Sequence, residues 1–212
     1  MRADEIDFTY LTNLKSFVLN HTQDLKIRLP ESLVRLSYEA SFFYRAILDF
    51  EDLINLKVVT IKDNSFSSLS GLFESKFKFP QLQELKIESD ANGDDDSEDY
   101  DESEDISIEE TIITFTITGS FSFPDSLEVL ELHSINAVLG EGFKFPKNLK
   151  KLLLLGVKSN DDHSIELPQS LKHLSIRNQT FDLSKVARWP PLLNTLVLNF
   201  SKLVNFYDID LQ

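Results

Sequence analysis

Cysteine is absent from the 212 residues, which rules out disulfides and thiolate metal sites. That absence fits a reducing compartment, and equally an exported protein that avoids thiol chemistry. Glycine is scarce, with six in the chain, and neither a P-loop, a G-x-G-x-x-G turn nor an H-E-x-x-H pair occurs. The common phosphate-cradling loops and the zincin motif are thereby excluded. No run of 18 or more apolar residues is present, and the start, Met1-Arg-Ala-Asp-Glu-Ile-Asp7, lacks the apolar stretch of a secretion signal. The expectation is a soluble, cytoplasmic or nuclear protein without a membrane segment.

Basic residues are missing from one stretch in particular. Between Glu88 and Glu110 lie thirteen acids and no lysine or arginine. Removing them leaves 35 - 13 = 22 acids against 21 bases, so the net charge of -14 belongs to one insert, not to the molecule at large. The insert, at about 89–108, reads as a disordered tether, and a basic partner such as a histone tail or another basic peptide is the ligand its charge would attract. Ser97, Ser103 and Ser107 sit among these acids, where phosphorylation would deepen the same charge. Asp94-Asp-Asp-Ser-Glu-Asp99 lacks the spacing of an EF-hand calcium loop.

Leucine, by contrast, is periodic. Leu127/Leu130/Leu132, Leu149/Leu152/Leu154, Leu171/Leu174/Ile176 and Leu193/Leu196/Leu198 repeat L-x-x-L-x-L in three steps of 22 residues. The pattern recurs upstream at Leu14/Phe17/Leu19, Leu33/Leu36/Tyr38, Leu56/Val59/Ile61 and Leu82/Leu85/Ile87, and after the acids at Ile112/Phe115/Ile117, giving nine units. All seven prolines fall two or three residues before a unit's first leucine, where a missing N–H harms no strand ladder.

The phrases Phe123-Pro-Asp-Ser-Leu-Glu-Val-Leu-Glu-Leu132 and Leu167-Pro-Gln-Ser-Leu-Lys-His-Leu-Ser-Ile176 resemble leucine-rich repeats, whose units run about 20 to 29 residues. They are similar to the short repeats of bacterial effectors and to degenerate fungal and F-box proteins of that class. The resemblance, spanning Leu11 to Leu198, implies an α/β solenoid: a parallel sheet on the concave side, with loops and short helices on the convex side. Ser41–Phe50 is the candidate convex helix, with Ser41 as its cap, and Ser184–Trp189 a turn or two more. The family's asparagine, three residues after the third apolar position, is here Thr22, Ser41, Asn64, Asp90, Ser120, Ile135, Val157, Gln179 and Ser201. Other polar groups, water or irregular loops must therefore tie the coils together. Leu203–Ile209 reads as a half-formed closing unit.

Catalytic and cofactor constellations are not found. His21, His133, His163 and His173 stand apart from any nucleophile, and Asp161-Asp-His163 reads as a polar loop before it reads as a metal site. The N-x-[ST] triplets at Asn20, Asn178 and Asn199 read as chance. The remaining candidate site is the concave strand face that the resemblance implies. Its variable positions carry Lys15, Arg35, Lys57, Lys86, Lys150, Lys151 and Lys172, with Glu84, Glu128, Glu131 and His173, among apolar Val18, Val34, Val58, Ile113, Val129, Leu153 and Val197. A non-catalytic module that binds a protein partner is the expectation, with Lys86, Lys150, Lys151 and Lys172 steering it. The alternative is the substrate-recognition segment of a ubiquitin-ligase component or effector. Nucleic acid is disfavoured by the acidic balance.

Overall fold

A computed structural model describes residues 4–20, 25–40, 46–50, 52–63, 79–88, 115–117, 123–133, 137–159, 164–177 and 181–199. The acidic insert and its serines, Asp161–His163, most of the family's asparagine positions and Leu203–Ile209 lie outside these residues.

The strands in the first part of the chain are β1 Asp4–Asp7, β2 Ser16–Asn20, β3 Leu25–Arg28, β4 Arg35–Ala40, β5 Ala46–Asp49, β6 Val58–Asp63 and β7 Glu84–Glu88. There follow β8 Phe115–Ile117, β9 Val129–His133, β10 Ala137–Leu139, β11 Lys151–Leu155 and β12 Lys158–Ser159. The last are β13 Ile165–Glu166, β14 His173–Arg177, β15 Val186–Arg188 and β16 Thr195–Asn199. Eight form one parallel sheet in the order β16-β14-β11-β9-β7-β6-β4-β2. Three small parallel sheets, β1-β3-β5, β8-β10-β12 and β13-β15, take up the rest.

The leucine pattern explains the long sheet. In β9 and β11 alternate residues are buried, so Leu130, Leu132, Leu152 and Leu154 turn inward while their neighbours face out. Parallel register then stacks like on like: Leu85 opposite Leu130, Leu130 opposite Leu152, Leu152 opposite Leu174. These side chains form one continuous core running from Ile27 to Val186. Because no coil can enclose its own apolar side, each buries what its neighbour exposes. The end strand β16 shows the converse: its inward Leu196 is 37% exposed, whereas the partner Leu174 on β14 is fully buried.

Before each strand the chain turns, and the amide of the first leucine donates back to the carbonyl three residues earlier, as at Pro124, Pro146, Pro168 and Pro190. The carbonyl of the next residue then accepts two N–H groups from the following coil. Val34 O takes Lys57 and Val58, Gln83 O takes Glu128 and Val129, and Lys150 O takes Lys172 and His173. This doubled acceptor leaves two adjacent side chains facing outward before the regular alternation begins, and it recurs from Lys15 to Lys172.

Polar side chains tie the coils together from the position just before the first leucine. Ser32, Ser126 and Ser170 each donate an Oγ hydrogen to the first-leucine carbonyl of the preceding coil, all at 2.8 Å. Asn55 and Asn148 donate to Glu31 O and Asp125 O in the preceding turn, at 3.1 and 2.9 Å. Of the nine positions where the family's asparagine would stand, Val157 alone is described, and it is buried.

Several expectations are corrected. The helix placed over Ser41–Phe50 is not formed at residues 46–49, which are β5 and pair with β3. Beside a strand with unpaired backbone groups, an added strand satisfies both chains where a helix would leave the edge open. Around Ser184–Trp189 the structure has a three-residue 3₁₀ turn, Leu183–Lys185, capped by Asp182 and followed directly by β15. Among the described residues that turn is the only helical element, so the α/β description gives way to a nearly all-strand solenoid. The unit at Ile112/Phe115/Ile117 is likewise not part of the long sheet. Its strand β8 pairs with β10 on another sheet, while β7 pairs directly with β9.

Stacking of this kind predicts that Leu152→Ala or Leu174→Ala lowers unfolding free energy by roughly 2–5 kcal/mol in chemical denaturation. Changes below about 1 kcal/mol for both would contradict their place in the core. Ser126→Ala and Ser170→Ala, each deleting one tie between coils, are expected to cost about 1 kcal/mol, and unchanged denaturation midpoints would remove those ties from the account.

Candidate interaction face

Four outward positions per coil build the outer face of the long sheet. From β2 to β16, the pair beside the doubled acceptor reads Lys15-Ser16, Val34-Arg35, Lys57-Val58, Gln83-Glu84, Glu128-Val129, Lys150-Lys151, Lys172-His173 and Asn194-Thr195. Next comes the central row, Val18, Ser37, Thr60, Lys86, Glu131, Leu153, Ser175 and Val197, and then Asn20, Glu39, Lys62, Glu88, His133, Leu155, Arg177 and Asn199. Every candidate residue described above therefore shares this face: Arg35, Lys57, Lys86, Glu128, Glu131, Lys150, Lys151, Lys172 and His173.

Their charges are not equally available. Lys150 Nζ lies 2.7 Å from Glu128, Lys151 Nζ 2.6 Å from Glu131, and Lys86 Nζ 2.7 Å from Glu88. Three of the four lysines expected to steer a partner thus rest against a glutamate. Among the described residues, Lys172, Arg35, Lys57 and Lys15 make no such pair. A shallow depression between β6, β7 and β9 is lined by Val58, Thr60, Glu84, Lys86, Val129 and Glu131, apolar floor beside opposed charges.

His133, isolated in sequence, is held at the centre of an ionic cluster. Its Nδ1 lies 3.5 Å from Glu88 Oε1 and its Nε2 3.4 Å from Glu131 Oε2. The Nε2 is buried and lacks the alignment of a hydrogen bond. Lys62 approaches Glu88 from β6 at 3.7 Å, so the cluster spans four neighbouring strands from β6 to β11. Burial opposes charge on both groups. For His133 burial prevails, helped by Lys86, and its pKa falls below the ordinary 6.5 despite the two carboxylates. On Glu88 burial acts to raise the pKa, but the hydrogen bond and charge of Lys86, with Lys62 and His133, outweigh it and the net shift is downward. Glu88 and His133 occupy the same position of successive coils, one past the third apolar residue, and extending the repeat by one residue would have found the pair. Among the described residues no group of three His, Asp or Glu side chains is placed to hold a metal ion.

A histidine whose pKa is lowered in the fold binds its proton more readily when unfolded. The stability it supports is present above the unfolded value and is lost as pH falls through the folded one. Glu88 loses its contribution further down, in the acid range. Wild type should therefore lose more thermal stability than His133→Gln between about pH 7 and pH 5, the other histidines being common to both. A difference between the two melting temperatures that does not change with pH would contradict the buried, reluctantly charged imidazole.

Neither a protein-family model nor a curated protein matches this chain. A solved structure described as CroV588, a novel circular LRR protein, is similar at 19% identity and a TM-score of 0.41, over 83% of this chain. The chain spans 27% of that protein's length. The solenoid itself is read from this chain's own parallel register, one leucine-patterned strand stacked on the next.

Proposed function

We propose that this chain is a non-catalytic interaction module that binds a protein partner on the outer face of its long sheet. The observation that carries the reading is the contrast between the two faces of the same strands. Inward positions are monotonous and apolar, and buried from β4 to β14; outward positions differ from coil to coil and mix lysine, glutamate, valine, serine and threonine. Eight strands at about 4.8 Å spacing make a platform roughly 34 Å long. Such a surface, apolar patches bordered by polar and charged groups, has the composition of a protein-binding site. Solenoids present extended surfaces of this kind to their partners.

A substitution that blocks the face regardless of charge tests the reading. Thr60→Arg together with Leu153→Arg places two long side chains in the central row. Affinity capture with the intact double variant should lose the proteins recovered with wild type. A control on another sheet, Lys26→Glu with Arg28→Glu on β3, should retain them, and melting temperatures would confirm that both variants fold. Recovery of the same proteins by the double variant would place the binding surface elsewhere.

A further inference from the structure

We propose that the outer face of β2, β4 and β6 is the docking site for an extended acidic segment of a partner protein, its carboxylates spaced three residues apart. The inference rests on reading the long sheet as a protein-binding surface, and it names the chemistry of what binds.

Lys15, Arg35 and Lys57 are all exposed. Among the described residues none of the three lies within ion-pair distance of a carboxylate. The doubled acceptors align them: Lys15 O receives the amides of Val34 and Arg35, and Val34 O receives those of Lys57 and Val58. Lys15, Val34 and Lys57 therefore form one column across three strands, with Arg35 one residue along the middle strand, opposite Ser16 and Val58. Two strand spacings separate the lysines by roughly 10 Å, and three residues of a polyproline II chain, whose every third side chain returns to the same side, span about 9 Å. Half-buried Val34 and Val58 offer the intervening residues an apolar contact.

The rest of the face bounds the site. Glu84, opposite Val58 on the next coil and outside ion-pair distance of any described cation, repels an acidic segment that continues past β6. Lys86, Lys150 and Lys151 on β7 and at β11 are already neutralised by Glu88, Glu128 and Glu131. A nucleic acid fits less well. Among the described residues no aromatic side chain is interleaved with these cations on the outer face, and a chain of net charge -14 repels a uniformly charged polymer more strongly than a segment with a few carboxylates.

Fluorescence anisotropy of a labelled, otherwise Ser/Thr-rich peptide with glutamate at every third position, at low ionic strength, tests the proposal on the full chain. Two triple variants carry the same change in net charge: Lys15→Gln/Arg35→Gln/Lys57→Gln removes the unpaired cations, and Lys86→Gln/Lys150→Gln/Lys151→Gln removes paired ones. Three exposed charge contacts correspond to about a tenfold loss of affinity for the first, and a change no larger than about threefold is expected for the second. Equal losses, no measurable peptide binding by wild type, or tighter binding of an RNA oligonucleotide of equal charge would overturn it. In partner capture, loss with Thr60→Arg/Leu153→Arg but not with the unpaired-cation triple would overturn the acidic segment and leave the face standing. Capture retained by both would overturn both.

Discussion

Each coil of this chain depends on backbone amides and apolar side chains that belong to its neighbours. A single unit of some 22 residues offers one face of leucines and one row of unpaired N–H groups, and water would claim both if no coil lay alongside. The doubled acceptor at Lys15, Val34, Lys57, Gln83, Glu128, Lys150 and Lys172 shows how tightly the stacking is specified. One carbonyl holds two donors, the chain bulges, and two side chains in succession face outward. A shift by one residue would drive charged side chains into the core.

That constraint also creates the surface. Because leucines must recur inward, variation is confined to the outward positions, where lysine, glutamate and valine change from coil to coil without touching the core. Charge on this face is organised locally. In the centre, carboxylates of β7 and β9 gather Lys62, Lys86, Lys151 and His133 into a cluster that bridges neighbouring coils. At the start of β2, β4 and β6, Lys15, Arg35 and Lys57 make no ion pair among the described residues, and their charge is turned to solvent.

Much of this was legible in the leucines and prolines. The eight strands of the long sheet fall on eight of the nine units read from L-x-x-L-x-L, and six of the turns before them fall on prolines, those before β2 and β6 starting instead at Leu11 and Leu53. The ninth unit failed for an instructive reason. Ile112, Phe115 and Ile117 match the spacing, yet any strand with alternate apolar residues matches it, and β8 is needed in the small sheet with β10 and β12. The small sheets were missed because their strands are two to four residues long, too short for periodicity to separate strand from helix. Leu25-Lys-Ile-Arg28 did carry the alternation, and Ala46-Ile-Leu-Asp49 was read as helix because its pairing with β3 lies outside local sequence. The serine and asparagine ties were visible as Pro-Glu-Ser-Leu33, Pro-Asp-Ser-Leu127, Pro-Lys-Asn-Leu149 and Pro-Gln-Ser-Leu171. The face was legible as a set of positions, but the pairing of its charges was not, since it depends on which coil adjoins which.

The direct contact of β7 with β9, across the acidic insert, is the point at which the stacking account is most exposed. Glu84 and Val129 are 45 positions apart in sequence (129 - 84) and are partners in register. With no native cysteine to interfere, Glu84→Cys combined with Val129→Cys should oxidise to an intramolecular disulfide in the folded protein, because partners in adjacent strands fall within the Cα separation a disulfide accepts. Cross-linking no more efficient in buffer than in denaturant would contradict the continuous stack on which the core, the face and the proposed docking site all depend.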